Sequence, residues 1–166
     1  MKENKVLVLG KRKHTQDVSK NNATQSARSK EKVDKDPVSV GKGKRILIVE
    51  DDDFLRGLLS HNLSDVGYKV DSARDAELAL RFLARHFPDI ILLDLMLPGM
   101  NGFDFLAEIK KTRQLAIPVI VLSNLGSKED IDMALSLGAV DFLVKANVTP
   151  AQIVGKVQSV LEGGKT

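Results

Sequence analysis

Short apolar runs alternate along most of this chain with longer stretches in which apolar residues recur every three or four positions. Ile90–Leu93 reads as a strand covered on both faces, and Arg45–Val49, Ile117–Ser123 and Ala139–Lys145 read as further short apolar strands. The more polar run Tyr68–Ala73 reads as the remaining strand. Between these runs the spacing predicts helices over 53–66, 75–86, 102–112, 128–137 and 149–162. Leu55, Leu58, Leu59, Leu63 and Val66 share a face of the first, and Ile153, Val157, Val160 and Leu161 share a face of the last. The punctuation agrees: Asp75 and Thr149 stand where N-caps belong, Pro150 at a first helical position, and Gly67 and Gly138 just past last turns. Strand followed by helix, repeated from residue 44 onward, predicts an α/β domain with a parallel sheet wound on both faces.

The ends of these strands carry the candidate chemistry. Asp94 closes the run Ile90–Leu93 and precedes the turn-forming Pro98-Gly99-Met100-Asn101-Gly102, and Val49 is followed by the four acids Glu50, Asp51, Asp52 and Asp53. In a parallel sheet the carboxyl ends lie at one edge, where open α/β sheets place their sites, so Glu50, Asp51 and Asp94 are expected to converge. Crowded carboxylates repel unless a cation compensates, and hard oxygen ligands with room for water suit Mg²⁺. One of Asp52 and Asp53 is expected to cap the following helix. Ser123 and Lys145 end two further strands, making five polar groups at corresponding positions. From the residues alone, an aspartate capping a loop and acids opening a helix remain alternatives.

The motifs ILIVEDDD, LLDLMLPGMNGFDFL, PVIVLSN and GAVDFLVKA, in this order and spacing, resemble the receiver domain of bacterial two-component response regulators over residues 44–163. The resemblance implies a flavodoxin-like doubly wound (βα)5 sheet of strand order 2-1-3-4-5. It makes Asp94 the phosphoacceptor, and Glu50 and Asp51 the acidic pair that holds Mg²⁺ with Asp94 and the backbone carbonyl of Met96. Ser123 takes the place of the hydroxyl residue that binds the phosphoryl group, Lys145 that of the family's lysine, and Phe142 that of the aromatic switch residue. The implied donor is a sensor histidine kinase or a phosphotransfer protein. The implied activity is limited to self-phosphorylation and slow autodephosphorylation, since the residues flanking the path of attacking water, Met96 and Leu125, are both apolar.

Three positions depart from the family pattern. Lys145 is followed by Ala146, where the family usually has a proline in a cis peptide. A cis bond to a residue other than proline costs about 3 kcal/mol, which leaves a trans bond or an altered loop. Asn124 follows Ser123, where a smaller residue is common, and Phe142 lacks the hydroxyl of the commoner tyrosine.

Other classes fit less well. A phosphatase of the haloacid-dehalogenase type also pairs a strand-end Asp nucleophile with Mg²⁺ and a Lys, but it carries a second Asp two residues on, and here that residue is Met96. Flavin binding is disfavoured by an acidic loop after the first strand and by the absence of a Gly-rich phosphate cradle. A pseudo-receiver that binds partners without phosphorylation is the remaining alternative, and the complete residue set argues against it. His14, His61 and His86 show no metal-ligand spacing.

Charge separates the two parts of the chain. Residues 1–43 hold 11 Lys/Arg against 5 Asp/Glu, a balance of +6, while the remaining residues hold 14 against 17, or −3. Residues 10–43 are polar and nearly free of large apolar side chains, too few to offset the entropy of ordering them. Residues 1–43 are therefore expected to be a disordered basic tail, hinged at Gly41-Lys42-Gly43, that serves first as a solvated linker, with nonspecific binding of nucleic acid or acidic surfaces as the alternative. The chain has no cysteine, which suits a reducing cytoplasm, and neither a signal-peptide core nor a membrane-spanning apolar run is evident. Only four residues follow residue 162 of the last helix, so that output is expected through contact with a downstream protein that the sequence does not identify.

Overall fold

The structure, a computed structural model, describes residues 43–112 and 117–163. Five strands and five helices alternate: β1 Arg45–Val49, α1 Asp53–Asp65, β2 Lys69–Ala73, α2 Ala76–Leu83, β3 Ile90–Leu93, α3 Gly102–Lys111, β4 Val119–Ser123, α4 Lys128–Ser136, β5 Asp141–Val144 and α5 Pro150–Gly163. The strands form one parallel sheet in the order β2-β1-β3-β4-β5, the arrangement expected from the sequence.

Successive residues of a strand point to opposite faces, and the two cores follow that alternation. Leu47, Val49, Ile91, Leu93, Val119 and Val121 pack with Ala79 and Leu83 of α2, Phe105, Leu106 and Ile109 of α3 and Ala134 of α4. Ile46, Ile48, Ile90, Leu92, Ile120 and Leu122 face the other way, against Leu59 and Leu63 of α1 and Ile153 and Val157 of α5. The three central strands are buried along both faces, which is why they read as unbroken apolar runs. The edge strand β2 is half exposed and correspondingly polar.

Local stops set the element ends. Asp52 caps α1 by accepting the Leu55 N–H at 2.7 Å, and Asp75 caps α2 through Leu78 at 2.7 Å. The second helix ends at Leu83 rather than near His86. Arg85 and His86 both donate to the Phe82 carbonyl in a tightened last turn, and Phe87, preceding Pro88, is sterically driven out of the helical region. The fifth strand ends at Val144, and Lys145–Asn147 form a 3₁₀ turn in which the Lys145–Ala146 peptide is trans. The fourth strand begins only after Pro118, whose carbonyl accepts the Ile91 N–H at 3.0 Å. The disordered tail expected over residues 1–43 lies outside the described residues, apart from Gly43.

Candidate functional site

Register brings the strand ends level. Val49 pairs with Leu93 and Leu93 with Val121, while Ser123 pairs with Val144, so that Glu50, Asp94 and Lys145 each leave the sheet one residue beyond a paired position. Backbone bonds carry the alignment past the strands: Asp94 N–H donates to Val49 O at 2.9 Å and Glu50 N–H to Ala73 O at 3.0 Å. The sheet therefore delivers both carboxylates to one edge.

There Glu50, Asp51 and Asp94 each present a carboxylate oxygen within 4.8 Å of the others, the one such group of three or more potential ligands among the described residues. Glu50 and Asp94 are 2% and 5% exposed, whereas Asp51 faces solvent. The Lys145 ammonium lies between the two buried acids, 2.6 Å from Asp94 Oδ2 and 2.8 and 3.0 Å from the two oxygens of Glu50. Asp94 Oδ1 accepts the Met96 N–H at 3.1 Å, and Glu50 Oε1 accepts the Asp52 N–H at 3.3 Å.

Burial pushes the Glu50 carboxyl above the ordinary glutamate value, and the neighbouring Asp94 adds to the rise. The hydrogen bond and charge of Lys145 oppose it without cancelling it. For Lys145, burial pulls downward, but the hydrogen bonds and charges of Asp94 and Glu50 outweigh it, and the ammonium is held above its usual value. The lysine thus stays charged, and one cation faces two buried carboxylates with a third at the rim.

Above these groups opens a cavity of about 530 Å³, lined by Glu50, Asp51, Asp52, Leu55, Asp94, Met96, Asn124, Lys145 and Ala146. Its donors are hard carboxylate oxygens with space beside them for water. That chemistry fits Mg²⁺, which keeps part of its hydration shell and takes one or two carboxylates. Ser123 and Phe142 stand apart from this lining. Ser123 is fully buried at the end of β4, its Oγ accepting the Leu125 N–H at a long 3.4 Å. Phe142 is half-buried on β5 against the core shared with α3 and α4. Two of the departures from the family pattern, Asn124 and Ala146, are in the cavity wall, yet the lysine still reaches both acids.

Two residues that sequence reasoning passed over support the site. Arg56 holds the backbone of the acidic loop through Glu50 O at 2.9 Å and Asp51 O at 3.3 Å, and its other terminal nitrogen pairs with Asp53. Gly102 opens α3 pressed against the backbone that follows β3, and a Cβ there would lie 2.5 Å from the Asp94 carbonyl oxygen. An arginine one turn into a helix reads as a solvated face, and a glycine after Asn101 reads as part of a turn, so neither gave a signal.

Comparison with known proteins places this geometry. The sequence matches the response regulator receiver domain family over residues 46–158. It is 36% identical over 118 residues to a probable transcriptional regulator, ycf27, of Guillardia theta, covering 71% of this chain and 45% of that protein. It is also 36% identical over 120 residues to the transcriptional regulatory protein AfsQ1 of Streptomyces coelicolor, covering 72% and 52%. The chain thus spans about half the length of the curated relatives it matches. Among solved structures, a CheY-like receiver domain protein from Methanospirillum hungatei superposes with a TM-score of 0.68 at 30% identity, covering 72% of this chain and 94% of that one. The BeF3-activated DrrB receiver domain superposes with a TM-score of 0.64 at 28% identity, covering 72% and 97%. With the family matched across the sheet and the strand-end carboxylates, this chain belongs to the response regulator receiver domains of two-component systems.

Proposed function

We propose that this chain accepts a phosphoryl group on Asp94 from a histidine kinase or phosphotransfer protein, and passes the signal on by protein contact in the cytoplasm. The observation that carries this reading is the Lys145 ammonium bridging Asp94 and Glu50 at the floor of an open cavity. A buried, paired carboxylate facing an open cavity is positioned for attack, where a simple loop cap would not be.

In the reaction a carboxylate oxygen of Asp94 bonds to phosphorus as the bond from phosphorus to the donor's imidazole nitrogen breaks, and the imidazole leaves. Negative charge spreads over three equatorial oxygens, so that catalysis is mostly positioning and neutralisation. Glu50, Asp51, Asp94 and the Met96 carbonyl would hold Mg²⁺, which supplies charge neutralisation on one side of the transferring group. Lys145 supplies it on another as a compact point charge. The Met96 N–H, already on Asp94 Oδ1, fixes the carboxylate plane. The long Ser123 bond to Leu125 leaves that hydroxyl weakly held. Its turn toward the new phosphoryl oxygens, with Phe142 moving on β5, would alter the surface beside α4.

The similarity to a receiver solved in a BeF3-activated state agrees with this reading, because trifluoroberyllate is a tetrahedral stand-in for a phosphoryl group. A phosphatase of the haloacid-dehalogenase type would need an acid at residue 96, and Met96 supplies none. The test is intact mass after incubation with acetyl phosphate and Mg²⁺. Wild type gains one phosphoryl group and Asp94→Asn gains none, whereas equal labelling of the two would refute the assignment.

A further inference from the structure

We propose that Arg56 is a positioning residue for the metal site: its guanidinium fastens the backbone of the Glu50–Asp53 loop so that the Glu50 and Asp51 carboxylates are held toward Asp94 without the arginine itself occupying them. The inference rests on the Mg²⁺ reading above.

Four consecutive acids at the end of a strand repel one another, and the carbonyls of Glu50 and Asp51 lie beyond the last paired residue of β1, where no ladder partner receives them. Arg56, from the first turn of α1, meets both needs. One terminal nitrogen donates to Glu50 O at 2.9 Å and to Asp51 O at 3.3 Å, and the other pairs with the Asp53 carboxylate. Its side chain is only 19% exposed, so the part-buried bond to Glu50 O is little screened by water, whereas the Asp53 carboxylate lies largely in solvent. The choice of partners is the informative part. Arg56 takes two backbone oxygens and the one carboxylate of Asp53, which is outside the cluster, and it takes none of the oxygens of Glu50, Asp51 or Asp94 that make up that cluster. Lys145 does the reverse, occupying the carboxylates themselves. The two cations divide the work: one lies among the ligands and the other holds the frame that presents them. A rigid planar fork can span two successive carbonyls and a carboxylate at once, whereas an ammonium cannot reach all three with the same fixed geometry.

The sign of the mutational effect separates this role from plain charge. Removing a cation near a Mg²⁺ site would, on Coulomb grounds, tighten binding of the metal. Loss of positioning weakens it, and residues that orient metal ligands typically contribute about 10- to 100-fold in affinity. The experiment is isothermal titration of the full chain with MgCl₂ for wild type, Arg56→Met, Arg56→Lys, Asp53→Ala and Asp51→Ala, with melting temperatures measured in EDTA. Arg56→Met is expected to bind roughly tenfold more weakly, with Arg56→Lys between it and wild type, although the lysine keeps the charge. Asp53→Ala, which spares the carbonyl bonds, stays within about twofold. Should Arg56→Met itself fail to fold, Arg56→Lys decides: affinity equal to wild type overturns the inference. Equal or tighter binding by folded Arg56→Met, while Asp51→Ala binds weakly, overturns it and leaves the metal reading intact. Wild type that takes up no Mg²⁺ overturns the metal reading and the inference together.

Discussion

Lys145 Nζ lies 2.6 Å from Asp94 Oδ2, and the same ammonium reaches Glu50 Oε2 at 2.8 Å. Three strands contribute to this bridge: β1 ends before Glu50, β3 before Asp94 and β5 before Lys145. Removing one partner of a buried ion pair leaves an uncompensated charge, at a cost of about 3–5 kcal/mol when burial is complete. Lys145→Ala is therefore expected to melt well below wild type in EDTA. Mg²⁺ should restore more to the variant than it adds to wild type, since the cation then neutralises carboxylates that no ammonium contests. Melting curves with and without Mg²⁺ check this, and an equal Mg²⁺ increment in both proteins would contradict the shared use of these carboxylates.

Gly102 predicts a steric effect. Its N–H donates to Leu95 O at 2.9 Å, and an added Cβ would meet Asp94 O at 2.5 Å and Leu95 Cα at 2.6 Å, both rigid backbone. Gly102→Ala is expected to destabilise the domain by about 1–3 kcal/mol, as overpacking does, and to slow phosphorylation by shifting Asp94. Gly57, inside α1 with nothing within 4 Å of its would-be Cβ, is the control. Gly57→Ala should stabilise by roughly 0.5–1 kcal/mol, the ordinary gain of replacing a helical glycine. Denaturant titration of both variants measures the two signs.

Acid sensitivity at the far end of the sheet follows from Asp89. Its Oδ1 accepts from Lys44 Nζ at 2.6 Å and its Oδ2 from the Arg45 N–H at 2.8 Å, tying the entry of β3 to that of β1. Burial would raise its pKa, but the hydrogen bonds from Lys44 and Arg45 prevail and hold it below the ordinary aspartate value. A carboxyl depressed in the folded state stabilises above its unfolded pKa, near pH 4, and that contribution is lost as pH falls through the lower folded value. Wild type should therefore exceed Asp89→Asn in melting temperature most clearly above about pH 4, with the gap closing in stronger acid. A gap that widens on acidification would contradict the assignment.

Persistence of the phosphorylated state is the fourth expectation. Met96 lines the cavity and is 55% exposed, and Leu125 packs against the core, so neither offers a group that orients an attacking water. The phosphoryl group should survive well beyond seconds in excess Mg²⁺. Met96→Asn combined with Leu125→Glu should shorten its lifetime, as followed by loss of the mass increment. A double variant no faster than wild type would argue that water is limited elsewhere.

Much of this molecule was legible in its sequence, for a physical reason. Strands buried on both faces must be apolar throughout, so that β1, β3 and β4 appear as runs, and the first polar residue after each run marks the carboxyl edge. Glu50 and Asp94 stand out that way, and Lys145 stands out as the first polar residue after Phe142-Leu143-Val144 of the half-buried edge strand β5. Strand order was not readable from runs, because nothing local tells β1 that it pairs with both β2 and β3. That order came from resemblance to a family. Element ends were missed where tight turns decided them, as at Leu83, where two amides share the Phe82 carbonyl, and at Lys145, which begins a 3₁₀ turn instead of ending a strand. Arg56 and Gly102 were missed because their partners are backbone atoms, whose positions exist only once the chain has folded.

Among several neighbouring acids, Asp94 is the residue proposed to take the phosphoryl group. Borohydride reduction of an acyl phosphate turns the acceptor aspartate into homoserine, which peptide mass spectrometry locates to a single position. After phosphorylation of the wild-type chain with acetyl phosphate and Mg²⁺, homoserine is expected at residue 94 alone, with Asp51, Asp52 and Asp53 intact. A reduced acid in the 50–53 loop, or none at residue 94 in protein that has gained phosphate, would contradict the account.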